Sequence, residues 1–151
     1  MKGNIISHLF REYYAISEIC VAGQDRNPHT LSTMKNVSAI RKQVRRDPGI
    51  SDFRRRVYDA LLDVPEGWVT TYGALARRVG CGSAQAVGGA LRHNPFAPDV
   101  PCHRVLASDG TIGGFNGHRD GSEIARKIAL LRSEGVALDN DGRLLDSARM
   151  V

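Results

Sequence analysis

The chain has 151 residues, 42% of them hydrophobic and 25% charged, with a formal net charge of +5. This size fits one domain with a real core and a small appendage, and no apolar run approaches the roughly eighteen residues that a membrane-spanning helix needs. Residues 1–10 make a poor secretion signal, and the three cysteines, Cys20, Cys81 and Cys102, show neither metal-ligand spacing nor a disulfide framework, so a reducing intracellular compartment is expected. Between Arg41 and Arg56, Arg41, Lys42, Arg45, Arg46, Arg54, Arg55 and Arg56 stand against Asp47 and Asp52. The excess positive charge is therefore concentrated in this one stretch, which suits either a polyanion partner or a solvated face.

In chain order, residues 4–22 carry Ile5, Leu9, Tyr13, Ile16 and Cys20 at near-helical spacing, and a turn-rich segment follows to His29. Leu31, Met34, Val37, Ile40 and Val44 suggest a second helix that ends before Asp47-Pro48-Gly49. Residues 1–50 thus read as a helical, basic leader, and 51–151 as the main domain. Ser51 is a good N-cap for a helix whose inner face is Phe53, Val57, Ala60, Leu61 and Val64, stopping at Pro65. Thr70 or Thr71 caps the next, with Tyr72, Leu75, Ala76 and Val79 inward. A tight Gly80-Cys81-Gly82 turn leads to Ser83, which caps a third helix over 84–93 ended by Asn94-Pro95.

Helix, glycine turn, helix is the helix-turn-helix pattern, with 83–93 in the recognition position. That helix is built of small residues, and Gly88 and Gly89 in its interior cost about 1 kcal/mol each relative to alanine. Close approach of another helix or of a DNA backbone would account for them. Beyond it, Val105-Leu106-Ala107 and Thr111-Ile112 flank Ser108-Asp109-Gly110, a hairpin signal. Gly113 to Gly117 is a loop around Phe115, and a last helix over about 122–133 turns Ile124, Ile128 and Leu131 inward before Glu134-Gly135. A short turn is expected at Asp139–Gly142. The expected fold is mostly α with a small β-hairpin, winged-helix-like around the helix-turn-helix.

The segment Val100-Pro101-Cys102-His103-Arg104-Val105 carries the chemistry. A thiol reacts as its thiolate, and a free cysteine ionises near pH ~8.5, so Cys102 needs a base or a cation close by. His103 and Arg104 supply both kinds of group. Pro101 stiffens the approach. In an extended segment adjacent side chains point apart, so His103 would reach the Cys102 proton through a bridging water.

Five motifs occur in one order: Val69-Thr70-Thr71-Tyr72, Ala86 to Pro95, Pro101 to Val105, Gly113-Gly114-Phe115, and Leu130 to Gly135. Together they resemble the DNA-binding and active-site domain of the O6-alkylguanine-DNA alkyltransferases over roughly residues 53–135. The resemblance implies single-turnover direct repair by a monomer, in the nucleus of a eukaryote or the cytoplasm of a bacterium. Its substrate is double-stranded DNA containing O6-alkylguanine. The helix-turn-helix enters the minor groove, the damaged guanine is flipped out, and its alkyl group moves to Cys102 as a thioether without cofactor or metal. It also implies that Glu134 holds His103, that His103 polarises the water beside Cys102, and that Tyr72 supplies a proton or hydrogen bond to the departing guanine. Leu91, Val105, Gly114, Phe115, Asn116 and Gly117 correspond to the base pocket, with Phe115 stacking on the extruded base. Gln85, Arg92, Asn94, Arg104 and Ser108 correspond to the DNA side, Asn94 also tying the recognition helix to the active-site turn.

Two departures stand out. Family members usually insert an arginine into the base stack, where this chain has Gln85. They also often carry an N-terminal sheet domain, where this chain has its helical leader, whose Cys20 and His29 are too thin a pair for a zinc site. Other readings are an alkyltransferase-like protein that binds the lesion and recruits other repair, and a helix-turn-helix transcriptional regulator. The first replaces the cysteine, commonly with tryptophan, whereas Cys102 is present; the second would prefer one DNA sequence. A thiol hydrolase has no motif of its own here.

Overall fold

The computed structural model describes residues 28–151, with side-chain burial from Asn36 onward. The helix expected over 4–22, most of the turn that follows it, and Cys20 lie outside the described residues. Helix α1 (Pro28–Arg46) ends where Asp47-Pro48-Gly49 breaks the pattern. The compact unit that carries the site is Val37–Val151, so it begins earlier than the expected boundary at Ser51. The reason is apolar burial: Ile40, Val44 and Ile50 join the same core cluster as Val57, Tyr58 and Leu61, and removing a Val or Ile side chain from water contributes about 1.5–3 kcal/mol.

Helix α2 (Asp52–Leu61) starts at Ser51, whose hydroxyl accepts from the Arg54 amide at 3.4 Å. Strand β1 (Thr70–Thr71) runs directly into helix α3 (Tyr72–Arg78), and Thr71 is the cap, accepting from Ala74 N at 3.0 Å. Gly80, at φ +68°, turns the chain where a β-carbon would be strained. Helix α4 (Ala84–Arg92) follows, capped by Ser83 and buried through Val87, Ala90 and Leu91. Tyr58 is fully buried and donates its hydroxyl proton to Ala90 O at 2.9 Å, pinning α2 to α4.

The mostly α architecture is as expected, but the β pairing is different. Strand β2 (Val105–Leu106) lies parallel to β1, Thr70 opposite Val105 and Thr71 opposite Leu106. A parallel pair needs a crossover connection, and α3 and α4 provide it. The Ser108-Asp109-Gly110 turn does form, with Ala107 N on Thr111 O at 3.0 Å, but no hairpin ladder grows from it. Thr111 instead bridges antiparallel to Arg143. Helix α5 (Gly121–Ser133) ends at Gly135, φ +77°. The tail makes the expected turn on Asp139 and then returns, Val151 N on Val69 O at 2.8 Å, beside a second core of Val69, Leu106, Leu131, Val136 and Leu138.

Candidate active site

Cys102 opens a single 3-10 turn, Cys102–Arg104, closed by Arg104 N on Pro101 O at 3.0 Å. The segment is therefore bent at the thiol, not extended as its sequence suggested, because Pro101 O finds its donor three residues on. Cys102 is 6% exposed. Burial pushes its thiol above the ordinary range, while the Asn94 amide, Lys127 and Arg126 pull the other way without prevailing. The resting cysteine is thus a protonated thiol at neutral pH, and a thiolate has to be generated by removing its proton. Asn94 comes from the end of α4 and also donates to Val100 O at 3.0 Å, so one side chain joins the recognition helix to the cysteine turn.

His103, 4% exposed, sets its Nε2 2.7 Å from Glu134 Oε1 at the end of α5. Burial alone would raise the Glu134 carboxyl, but the hydrogen bonds from His103 and Arg104 and the Arg104 charge lower it to about 2. Glu134 is therefore an acceptor-only carboxylate, and the proton between it and the ring sits on Nε2. In the neutral ring this leaves Nδ1 as the acceptor. Arg104, expected on the DNA side, is turned inward instead. Its Nε and Nη2 donate to the two Glu134 oxygens at 2.8 Å each and its Nη1 to Val64 O at 2.7 Å. A planar guanidinium finds a better partner in a half-buried carboxylate than in solvent.

Tyr72 opens α3, its ring lying between two glycines. A β-carbon at Gly88 would stand 3.9 Å from it, and one at Gly113 3.4 Å. Its hydroxyl donates to Gly114 O at 3.0 Å, and burial, then the proximity of Cys102, pushes its pKa up to about 12. It is a proton donor at neutral pH, not a base. The same carbonyl accepts from Lys127 Nζ at 3.0 Å, and that ammonium also donates to Val105 O and Ile112 O, both at 2.6 Å. Sequence reasoning missed Lys127, which is fully buried. Burial lowers it to about 7, against the pull of Cys102 toward the charged form. The available signal was a lysine on the inward stripe of α5, three residues after Ile124 and four before Leu131.

The other expected pocket residues are less open than anticipated. Phe115 is 7% exposed and packs in the core, Lys127 Nζ 5.9 Å from its ring centre, so its face is not free to stack on a base. Leu91 and Val105 are likewise core residues. Asn116 is exposed, at φ +49°, and donates to Glu123 Oε2 at 2.6 Å. Gly117 is where Arg92 crosses the loop, since a β-carbon there would meet Arg92 Nε at 2.6 Å. Gln85, Arg92 and Ser108 are exposed.

Four of the seven basic residues of the stretch, Arg41, Arg45, Arg54 and Arg55, find partners within the protein. Arg41 pairs with Asp63 at 2.6 Å, Arg45 with Asp59 at 3.3 Å and Arg55 with Asp52 at 2.7 Å, while Arg54 reaches the Tyr58 hydroxyl and His93 O. Lys42, Arg46 and Arg56 show no such partner among the described residues.

Residues 52–136, more than half of the chain, match the model of the 6-O-methylguanine DNA methyltransferase DNA-binding domain. The methylated-DNA–protein-cysteine methyltransferase of Methanothermobacter thermautotrophicus is 42% identical over 91 residues, 60% of this chain and 48% of that protein. Mycobacterium tuberculosis OGT in complex with DNA superposes with a TM-score of 0.51 at 45% identity, covering 56% of this chain and 50% of that one. S. pombe ATL bound to damaged DNA containing O6-carboxymethylguanine superposes with a TM-score of 0.57 at 37% identity, covering 68% of this chain and 96% of that one. The chain spans about half the length of the curated relatives it matches. With the family model matched over the helix-turn-helix, the cysteine turn and Glu134 together, the chain belongs to the 6-O-methylguanine DNA methyltransferase family through its DNA-binding domain.

Proposed function

We propose that this protein repairs O6-alkylguanine in double-stranded DNA by moving the alkyl group, once per molecule, to Cys102. The carrying observation is the buried thiol next to a histidine whose Nε2 is held at 2.7 Å by an ionised glutamate. In the step, Cys102 sulfur forms a bond to the alkyl carbon as the bond from that carbon to guanine O6 breaks. The thiol proton leaves through a water to His103 Nδ1, and Tyr72 supplies a proton or hydrogen bond to the guanine anion. A general base of this kind contributes about 10²–10⁴-fold. Glu134, held to about 2, stays ionised and orients the ring without taking the proton itself. No cofactor enters the step, and a thiol chemistry of this sort belongs in a reducing compartment, cytoplasm or nucleus.

The DNA side is the exposed row Gln85, Gly89 and Arg92 of α4, with Ser108 near the pocket loop. A β-carbon at Gly89 would meet nothing of the protein within 4 Å, so packing does not require this glycine, which leaves the backbone open to an outer partner. Intact-mass analysis after incubation with an O6-methylguanine duplex tests the proposal. One added methyl on the peptide containing Cys102 supports it. No adduct from folded protein, or methyl on Cys20 or Cys81, overturns it. The similarity to S. pombe ATL over 96% of that chain favours one second reading, lesion binding without transfer. Tight binding to the lesion with no mass gain would establish that one instead.

A further inference from the structure

We infer that Arg104 is a positioning residue for alkyl transfer: its guanidinium clamps both oxygens of Glu134 so that the carboxylate can only accept the proton of His103 Nε2. This rests on the transfer reading above. Its starting point is how completely Glu134 is held. Oε1 receives His103 Nε2 at 2.7 Å and Arg104 Nη2 at 2.8 Å, while Oε2 receives Arg104 Nε at 2.8 Å and the Gly67 amide at 3.3 Å. Arg104 is itself anchored through Nη1 to Val64 O. The side chains of His103, Arg104 and Glu134 are 6%, 15% and 12% exposed, so water does little of this holding.

The terminal torsion of a glutamate is soft, and one histidine would leave the carboxylate free to swing. A two-point guanidinium fork fixes its plane, which a point-charge ammonium does less well. The consequence concerns the tautomer. If Glu134 were protonated, its hydroxyl would donate to Nε2, the ring proton would move to Nδ1, and the acceptor that the relay needs would be gone. Burial favours that neutral carboxyl, and Arg104 opposes it. Arg149 lies on the Gly67 side, its Nη1 donating to Gly67 O at 3.1 Å and its Nε 3.6 Å from Asp146. It supports the turn that carries the Gly67 amide without touching Glu134.

The sign follows. In the native protein Glu134 is ionised at every pH above about 2. Without the Arg104 cation and fork its carboxyl rises, so the competent form is lost as pH falls through the new value, by about tenfold per pH unit below it. Single-turnover methyl transfer from an O6-methylguanine duplex would be measured between about pH 5 and 8.5 for the full chain, Arg104→Met and Arg104→Lys. Arg104→Met is expected to fall further behind the wild type as pH drops. Arg104→Lys, which restores the charge, should run parallel to the wild type at a modest constant deficit. Histidine NMR provides a second measurement that needs no DNA. A downfield Nε2–H resonance of His103 should appear in the wild type and in Arg104→Lys, and should vanish in Arg104→Met on acidification. If Arg104→Met runs parallel to the wild type at all pH values, or keeps the resonance, the clamp is only structural and the inference fails. Should Arg104→Met not fold, a lysine variant whose deficit grows steeply in acid would overturn it as well. A wild type that transfers nothing would sink the function proposed above, while the resonance would still decide whether Arg104 sets the tautomer.

Discussion

The outer face of α4 and the Glu134 cluster lie at opposite extremes of how a protein can use its side chains. On α4 the exposed row is Gln85, Gly89 and Arg92, and a β-carbon at Gly89 would meet nothing of the protein within 4 Å. Around Glu134, two nearly buried side chains, His103 and Arg104, and a backbone amide share its two carboxylate oxygens. One region is left bare at a cost in helix stability; the other is saturated. Under the proposed function the first must fit a large partner and is best left unfilled, whereas the second is a proton path that has to be fixed before any partner arrives. The same contrast accounts for the basic stretch. Three of its six arginines, Arg41, Arg45 and Arg55, answer to Asp63, Asp59 and Asp52, and surface pairs of that kind are worth about 0–1 kcal/mol each, so they register helices more than they stabilise them.

Five substitutions test the contrast between the two regions. The largest effect belongs to Cys102→Ser, for which transfer by intact mass should disappear while gel-shift affinity for a lesion duplex persists; loss of both would tie the thiol to the fold instead. Next comes Glu134→Gln. It can hydrogen-bond but not carry charge, and transfer is expected to slow by about 10²–10⁴-fold at unchanged DNA affinity. Rapid-quench rates equal to the wild type would remove the relay.

Lys127→Met probes saturation from another side. It takes a donor from Val105 O and Ile112 O, at roughly 1–3 kcal/mol each, while Gly114 O keeps the Tyr72 hydroxyl, and the loss is partly offset because a buried charge is removed. Its signature is in pH. A lysine lowered to about 7 in the folded protein is neutral above that value while the unfolded chain still binds the proton, so this group makes stability rise from about pH 7 toward 10. Urea melts across that range should show the rise in the wild type, relative to a flatter Lys127→Met.

On the bare face, Gly89→Ala should stabilise the fold by up to about 1 kcal/mol and weaken binding to any duplex. Stabilisation with unchanged affinity would put the DNA elsewhere. The smallest effect is expected from Gln85→Arg. If this side chain enters the stack, the arginine should speed repair in a duplex and leave free O6-benzylguanine alone. Extruding a base costs a few kcal/mol, and only the duplex substrate bears that cost. Equal acceleration of both would mean that position 85 acts through the pocket.

Local features were legible from neighbouring residues. Ser51 and Ser83 cap the helices they were expected to cap, Gly80 and Gly135 end helices at positive φ, and Asp139 organises its turn, because caps and turns depend on a handful of neighbours. The order of the five motifs was equally legible, and it sufficed to name the family. Tertiary structure alone decided which partners those residues found. The 105–106 segment faced a free choice between Thr111 and Thr70, and the crossover through α3 and α4 settled it as a parallel pair. The sequence pointed Arg104 to the DNA side and did not single out Lys127; packing placed a carboxylate 30 residues away against one and three carbonyls against the other. Phe115 read as a rim aromatic and was drawn into the core. A side chain's charge and size are written in the sequence; whether water or protein surrounds it is set only when distant segments meet.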